Sequence, residues 1–135
     1  MEPELFDAAS AVRLKAHAPY SRFLVGAAIR TRAGTTHVGA NVENAAYPEG
    51  WCAETSAIGA MIAAAADLRG REIEEICVVA EQIDGRPTTP CGGCRQRIAE
   101  FARADTPVHC FSPDGAGRTY LMSDLLPGAF SMDNR

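Results

Sequence analysis

Three cysteines in two short segments place the strongest constraint on how this chain can fold. Cys91 and Cys94 lie in Pro-Cys-Gly-Gly-Cys, one helical turn apart, which is close enough for two sulfurs to share a tetrahedral metal ion. Cys52 begins a separate segment, Cys-Ala-Glu, far upstream in the chain. If the three sulfurs bind one ion, the fold must bring the starts of two different helices together.

A carboxylate accompanies these cysteines. Glu54 follows Cys52 by two residues and lies in the first turn of the same predicted helix. Three protein ligands leave a fourth position for water, which distinguishes catalytic from structural zinc. Zinc lowers the pKa of that water, and a nearby carboxylate that is not a ligand can take its proton. The combination resembles the signature of zinc deaminases. We predict one Zn²⁺ per chain, bound by Cys52, Cys91 and Cys94, with Glu54 as the catalytic residue.

Two other interpretations of the cysteines remain open at this stage. Cys91 and Cys94 could form a redox pair, or half of a structural four-cysteine site completed by Cys77 or Cys110. Both of the latter lie in apolar segments, Ile-Cys-Val-Val and Val-His-Cys-Phe, where a free thiol is usually buried in the core. We therefore interpret Cys77 and Cys110 as core residues. The histidines lack metal-ligand spacing and are interpreted as structural or surface residues.

Hydrophobic periodicity and turn signals predict alternating helices and strands. Helices are expected at residues 4–17, 52–68 and 91–102, with a short final helix that Ser123 could cap. Strands are expected at residues 23–29, 36–42, 73–80, 108–111 and 118–121. This order predicts one α/β domain over residues 1–135, a three-layer α-β-α sandwich around a mixed sheet of about five strands.

Charge and hydrophobicity restrict the partners. The net charge of −4 provides no basic surface for a nucleic-acid backbone, so a free small substrate is favoured. The acidic N-terminal segment does not resemble a secretory signal, and the apolar stretch at residues 57–66 is too short to span a bilayer. We expect a cytoplasmic protein that binds neither nucleic acid nor membrane.

Five segments, in order along nearly the whole chain, resemble the motifs of the small zinc-dependent cytidine deaminases. They are Pro-Tyr-Ser-x-Phe-x-Val-Gly-Ala-Ala (19–28), Asn-Val-Glu-Asn-Ala-Ala-Tyr (41–47), Cys-Ala-Glu (52–54), Pro-Cys-Gly-Gly-Cys-Arg-Gln (90–96) and Leu-Leu-Pro-Gly-Ala-Phe (125–130). The resemblance implies the cytidine-deaminase-like fold and a homotetramer with sites at subunit interfaces. It also implies hydrolysis of cytidine or deoxycytidine to uridine or deoxyuridine and ammonia.

The resemblance further implies how a nucleoside is bound. Asn41 and Glu43 would hydrogen-bond the ribose hydroxyls, because together they offer a donor and acceptors. Phe23 would pack against the pyrimidine, and the backbone around Ala53 would meet the base carbonyl. Phe130 would stack in the site of a neighbouring subunit. The alternatives are a core aromatic for Phe23 and a frayed terminal residue for Phe130.

The implied reaction is attack of hydroxide on C4 of the cytosine ring. Glu54 would protonate N3 and later deliver a proton to the departing ammonia.

One position departs from the family pattern. Thr55 stands where an arginine commonly follows the catalytic glutamate. Three thiolates and Zn²⁺ carry one net negative charge, which an arginine on the sulfurs would offset. We expect Arg95 and the two helix dipoles to supply that balance, with Thr55 donating one hydroxyl hydrogen bond.

Thr55 and the neighbouring Trp51 keep a second substrate class open, a modified cytosine nucleoside or nucleoside antibiotic. A relative that merely binds or hydrolyses nucleotides is disfavoured because Glu54 is intact. A polynucleotide editor is disfavoured by the acidic charge and the short loops.

Overall fold

The computed structural model describes residues 1–132 as alternating helices and strands. In chain order these are α1 (Pro3–Arg13), β1 (Gly26–Thr31), β2 (Thr36–Ala40), α2 (Ala53–Ala64), β3 (Ile73–Val79), α3 (Gly92–Phe101), β4 (Pro107–Phe111), β5 (Gly117–Leu121) and α4 (Met122–Leu125). Short 3-10 turns occupy Tyr47–Glu49 and Leu68–Arg71. Within residues 1–132, none of the helices has the length and hydropathy needed to cross a membrane.

Within the described residues the strands form one mixed sheet in the order β2-β1-β3-β4-β5. β3 and β4 are parallel and are connected through α3, whereas the other neighbouring pairs are antiparallel. A parallel pair needs such a crossover helix, and α3 starts on the carboxyl side of β3. The segment that carries Cys91 and Cys94 therefore lies at that edge of the sheet.

Helices cover both faces of the sheet. The larger buried cluster joins α2 and α3 to one face, and its central members are Ala57, Met61, Ile76, Val78 and Ile98. The smaller cluster joins α1 to the opposite face through Leu5, Ala9, Ala28, Cys77 and Val79. Neighbouring residues of β1 and β3, such as Ala27 and Ala28 or Val78 and Val79, thus enter different clusters, as the period of two in a strand requires. The predicted three-layer α-β-α sandwich is confirmed.

Two glycines let the helices pack directly on the strand backbones. A Cβ atom on Gly39 of β2 would lie 2.3 Å from the Ala57 nitrogen of α2. A Cβ atom on Gly26 of β1 would lie 2.1 Å from the Ala9 oxygen of α1. Since no side chain fits between these backbones, α2 is held against β2 along the part of the helix that follows Cys52.

Several predicted boundaries are wrong by a few residues. The first helix ends at Arg13 rather than near residue 17, and the first strand begins at Gly26 rather than at residue 23. Just before this strand, the Phe23 carbonyl and the Val25 N–H bond to the side chain of Asn41, and the Leu24 carbonyl accepts from the Arg13 side chain. The second helix ends at Ala64, and Asp67 then caps a separate 3-10 turn. Side-chain contacts of this kind leave no signal in hydrophobic periodicity.

Candidate active site

The three predicted ligands meet at the edge where α2 and α3 begin. The sulfurs of Cys52, Cys91 and Cys94 lie within 4.8 Å of one another, and those of Cys52 and Cys91 are 3.8 Å apart. A tetrahedral Zn²⁺ with bonds of about 2.3 Å places its sulfur ligands about 3.8 Å apart, so the donor set fits zinc. A fourth tetrahedral position is left for water or substrate.

The backbone favours anionic sulfur at this point. Cys52 is the N-cap of α2, Cys91 is the N-cap of α3, and Cys94 follows in the first turn of α3. The first N–H groups of a helix have no partner within it, and its dipole places partial positive charge there. Two such helix ends converge on the cluster, which stabilises thiolates and therefore metal binding.

The other cysteines lie away from the cluster in the core. Cys77 belongs to the cluster under α1 and Cys110 to the cluster under α2 and α3, and both are fully buried. Burial raises the pKa of each thiol to about 12, so both remain protonated at neutral pH. Within the described residues, the only grouping of metal-ligating side chains is the one formed by Cys52, Cys91 and Cys94.

Glu54 is buried beside the sulfur cluster. It lies in the first turn of α2, is only 4% exposed and lines a pocket together with Cys52 and Cys91. Burial raises the pKa of its carboxyl, although its own backbone N–H and the charge of Arg97 partly oppose that effect. A carboxyl whose pKa is moved toward neutrality can both accept and return a proton, as general acid–base catalysis requires.

The pocket has a volume of about 620 Å³, ample for a nucleoside. It brings together the predicted substrate-binding residues of this chain, and it adds several residues without a predicted role. The predicted ones are Phe23, Asn41, Glu43 and Ala53; the additional ones include Val25, Val78, Thr88 and Thr89.

Asn41 connects the pocket to the segment that carries Phe23. Its side-chain amide donates to the Phe23 carbonyl at 2.9 Å, and its Oδ1 accepts from the Val25 N–H at 2.9 Å. An asparagine amide has two donors and two acceptor lone pairs, so one of each remains for a ligand. Asn41 thus has a structural task that its sequence motif did not reveal.

Glu43 is held by a turn that sequence reasoning did not assign to the site. Its carboxylate accepts hydrogen bonds from the backbone N–H groups of Tyr20 and Ser21, at 3.0 and 3.1 Å, and from the Ser21 hydroxyl. These hydrogen bonds, that of the Ser21 side chain first, lower the pKa of the carboxyl. Arg22, the next residue of this turn, has a left-handed backbone with φ of 59°. The successive N–H groups of Tyr20 and Ser21 both face the Glu43 carboxylate, an arrangement typical of backbone anion-binding turns.

Aromatic side chains surround the mouth of the pocket. Tyr20 and Tyr47 contact edge to face with ring centroids 6.0 Å apart, and Trp51 is 49% exposed. The Trp51 indole N–H donates to the Ser56 hydroxyl at 2.6 Å, which donates in turn to the Ala40 carbonyl at 3.0 Å. This chain of hydrogen bonds fixes the indole beside the site.

The contacts around the sulfurs differ from the expectation for Arg95. Its guanidinium donates to the carbonyls of Pro90 and Leu125 and to the Thr89 hydroxyl, at 2.8, 2.9 and 2.9 Å. Those contacts fasten the segment before Cys91 to the C-terminal part of the chain. They are bonds to oxygen, whereas the sequence led us to expect bonds to sulfur.

The Cys94 sulfur has two other polar neighbours. The Thr55 hydroxyl and Nη1 of Arg97 each lie 3.8 Å from it. Sequence reasoning missed Arg97, although a residue three positions after Cys94 on a helix lies on the same face.

Phe130 lies outside the pocket of its own chain. Its side chain is 69% exposed, and its carbonyl accepts from the Gln96 amide at 3.2 Å. The residues that line the pocket do not include it.

Residues 2–110 match the family described as the cytidine and deoxycytidylate deaminase zinc-binding region. The chain belongs to this family. The match contains the Cys52, Cys91 and Cys94 cluster. The family is described as zinc-binding, which agrees with the zinc predicted from these three cysteines.

Named relatives in the deaminase family cover nearly the whole chain. The cytidine deaminase of Halalkalibacterium halodurans is 42% identical over 130 residues, 96% of this chain and 94% of that one. The crystal structure of cytidine deaminase from Burkholderia pseudomallei aligns with a TM-score of 0.86 at 40% identity, over 96% of this chain and 99% of that one. The crystal structure of cytidine deaminase from Mycobacterium tuberculosis aligns with a TM-score of 0.78 at 31% identity, over 96% of both chains.

Proposed function

We propose that this chain is a zinc-dependent enzyme that hydrolyses cytidine and deoxycytidine to uridine and deoxyuridine, with release of ammonia. Residues 1–135 would act as a single catalytic domain with one zinc. The observation that carries the proposal is the position of Glu54, a buried carboxylate beside a three-sulfur cluster at the wall of a nucleoside-sized pocket. Relatives up to 42% identical are named cytidine deaminases.

Cys52, Cys91 and Cys94 would hold the zinc, which when bound supplies a Lewis acid that activates water at pH 7. Glu54 would accept a proton from the attacking water and transfer it to N3 as oxygen bonds to C4. Glu54 would then take the proton of the new C4 hydroxyl and pass it to the exocyclic amino group, and the C4–N bond would break to release ammonia as the C4 carbonyl of uridine forms. Burial of Glu54 supports this role, because proton transfer to bulk water does not compete.

The pocket residues support the proposed substrate pose. The remaining N–H of Asn41 would donate to a ribose hydroxyl. The remaining lone pair of Glu43 would accept from a ribose hydroxyl. Phe23 would contact the pyrimidine face. The backbone at Ala53, the first residue of α2, would meet the base carbonyl, since helix-start N–H groups lack intrahelical partners.

We infer a homotetramer whose sites include a neighbouring subunit's Phe130. The outer face of α2 supports close packing of subunits, because its exposed positions carry no large side chain; these are Gly59, Ala60, Ala63 and Ala64. The exposed ring of Phe130 supports a contact outside its own chain. We also infer a cytoplasmic location, because none of the five cysteines, all of which lie in the described residues, is paired in a disulfide, as is usual in a reducing compartment.

A modified cytosine nucleoside is the second candidate substrate, and the aromatic mouth favours it. Trp51 is fixed by its bond to Ser56 but still leaves half of its surface open beside the pocket. A base or sugar substituent could stack there.

One assay tests both candidates. The purified zinc protein is mixed with cytidine, deoxycytidine and a panel of cytosine nucleosides substituted on the base or sugar. Loss of the cytosine absorbance and release of ammonia are measured together. Equal amounts of ammonia and uridine or deoxyuridine are expected. Turnover of substituted nucleosides alone would favour the second candidate, and the absence of ammonia from every nucleoside would contradict both.

A further inference from the structure

The side chain of Arg97 bends back along α3 toward the sulfur cluster. Nη1 of Arg97 lies 3.8 Å from Sγ of Cys94, one turn earlier on the same helix. The guanidinium lies beside Gly93, where a Cβ atom would be only 3.0 Å from Nη1. The guanidinium therefore occupies room at the start of α3 that a larger side chain at position 93 would restrict.

Of Arg95 and Arg97, only Arg97 is placed to contact a cysteine that would bind the metal. The donors of Arg95 are directed to the oxygens of Pro90, Thr89 and Leu125. The second polar neighbour of the Cys94 sulfur, Thr55, is neutral. Three thiolates outweigh the charge of Zn²⁺ by one unit, and electron-rich sulfurs weaken a metal as a Lewis acid.

We infer that Arg97 is a positioning residue for the zinc centre, whose guanidinium donates a charge-assisted hydrogen bond to the Cys94 thiolate and offsets the excess negative charge. The inference rests on the proposed zinc deaminase. Thr55 donates a second, neutral hydrogen bond to the same sulfur. Together they withdraw electron density from Cys94, which leaves the metal more acidic toward water without any contact between Arg97 and substrate.

Arg97 is exposed, which sets the expected size of its effect. Mutation of a group that hydrogen-bonds a metal ligand typically lowers activity or metal affinity about 10–100-fold. Water screens the charge of an exposed group, which reduces the effect. We therefore expect Arg97→Gln to lower kcat by about threefold to tenfold, at or below the lower limit of that range, with little change in KM.

The test uses Co²⁺ in place of zinc in the folded protein. The thiolate-to-cobalt charge-transfer band moves to longer wavelength when a sulfur donates more strongly. The variants are Arg97→Gln, the charge-preserving Arg97→Lys, and Arg71→Gln. Arg71→Gln is the matched control. It also removes one exposed arginine charge, but in the 3-10 turn beyond the opposite end of α2.

A band at longer wavelength and a lower kcat in Arg97→Gln, with both close to wild type in Arg97→Lys and Arg71→Gln, is the expected result. An unchanged band in Arg97→Gln would overturn the inference, as would an equal shift in Arg97→Lys or Arg71→Gln. The band does not depend on turnover. A shifted band in a protein that deaminates no nucleoside would contradict the proposed function but not the role of Arg97.

Discussion

The sulfurs of Cys52 and Cys91 are 3.8 Å apart although the two residues are 39 positions apart in the sequence. Each cysteine is the N-cap of a helix, so the contact fixes the starts of α2 and α3 against each other. The sheet holds both helices from the same face, and Gly39 allows α2 to approach β2 at backbone distance. The ligand geometry is thus a property of the fold rather than of a local loop.

Each of the three clustered sulfurs should be needed for metal binding. We expect the single alanine variants of Cys52, Cys91 and Cys94 to lose most of their zinc, because a catalytic zinc needs three protein ligands and each variant leaves only two thiolates. Metal analysis of the purified variants measures this. The matched controls are Cys77→Ala and Cys110→Ala, which should retain about one zinc per chain despite lost packing. Full zinc content in any of the first three variants would remove that residue from the ligand set.

Glu54→Gln should separate chemistry from binding. The amide keeps the size of the side chain but cannot accept and return a proton, so kcat should fall by at least about 10²–10⁴-fold. Zinc content and the affinity for uridine, measured by calorimetry, should remain close to wild type. Near-normal turnover in a folded, zinc-loaded variant would rule out the proton-transfer role.

The sequence predicted the parts of this fold that follow from regular periodicity. The alternation of helices and strands, the mixed sheet and its two covered faces all follow from apolar spacing and helix-start signals. The metal cluster was predictable too, because ligand spacing and a helix start are local features. Helix and strand ends were less predictable where side chains replace backbone pairing, as Asn41 does for Phe23 and Val25.

The surroundings of the site required the structure. Nothing in the sequence shows that Tyr20 and Ser21 fold onto Glu43 across more than 20 residues. Likewise, Arg95 and Arg97 are two residues apart on one helix, so they point to different sides of it. Sequence proximity to Cys94 favoured Arg95, whereas the periodicity of the helix places Arg97 on the sulfur.

Substitutions of Asn41 and Glu43 should both raise KM, but only that of Asn41 should lower the free energy of unfolding. Asn41→Asp places a carboxylate oxygen against the Phe23 carbonyl, so we expect both a higher KM and a loss of about 1–3 kcal/mol in the free energy of unfolding. Glu43→Gln should raise KM with little effect on stability, because the side chain lies at the surface. Urea unfolding and steady-state kinetics on both variants measure this. Equal stability of the two variants would contradict the structural role of Asn41.

Stability should fall below pH 6.5 because of His109. Its Nε2 contacts the Glu75 carboxylate at 2.8 Å, and its Nδ1 contacts the Thr119 hydroxyl at 2.7 Å. Burial lowers the pKa of His109 below its usual value, although Glu75 opposes this effect. The unfolded chain therefore binds a proton first as pH falls, and the contribution present above about pH 6.5 is lost as pH approaches the folded pKa.

Urea unfolding of the zinc protein between pH 7.5 and 5.5 would measure this contribution. One such group changes the free energy of unfolding by at most about 1.4 kcal/mol per pH unit. His109→Gln should be less stable at pH 7 but should show a shallower pH slope. His37→Gln, which alters a half-buried histidine bonded to Thr35 on the edge strand β2, provides the matched control. The same slope in His109→Gln as in wild type would refute the assignment.

Phe130 should act in the site of another subunit. Phe130→Ala alone is expected to lose most activity through a higher KM, because its ring would no longer stack in that site. Glu54→Gln alone is expected to be inactive. If the two variants are co-expressed, some intact Glu54 sites will receive Phe130 from a Glu54→Gln neighbour. Random mixing in a symmetric oligomer makes this about half of the intact sites, so activity should recover to about a quarter of the wild-type value. Activity that remains at the level of the separate variants, in a mixed oligomer verified by mass, would place Phe130 in its own chain's site or outside catalysis altogether.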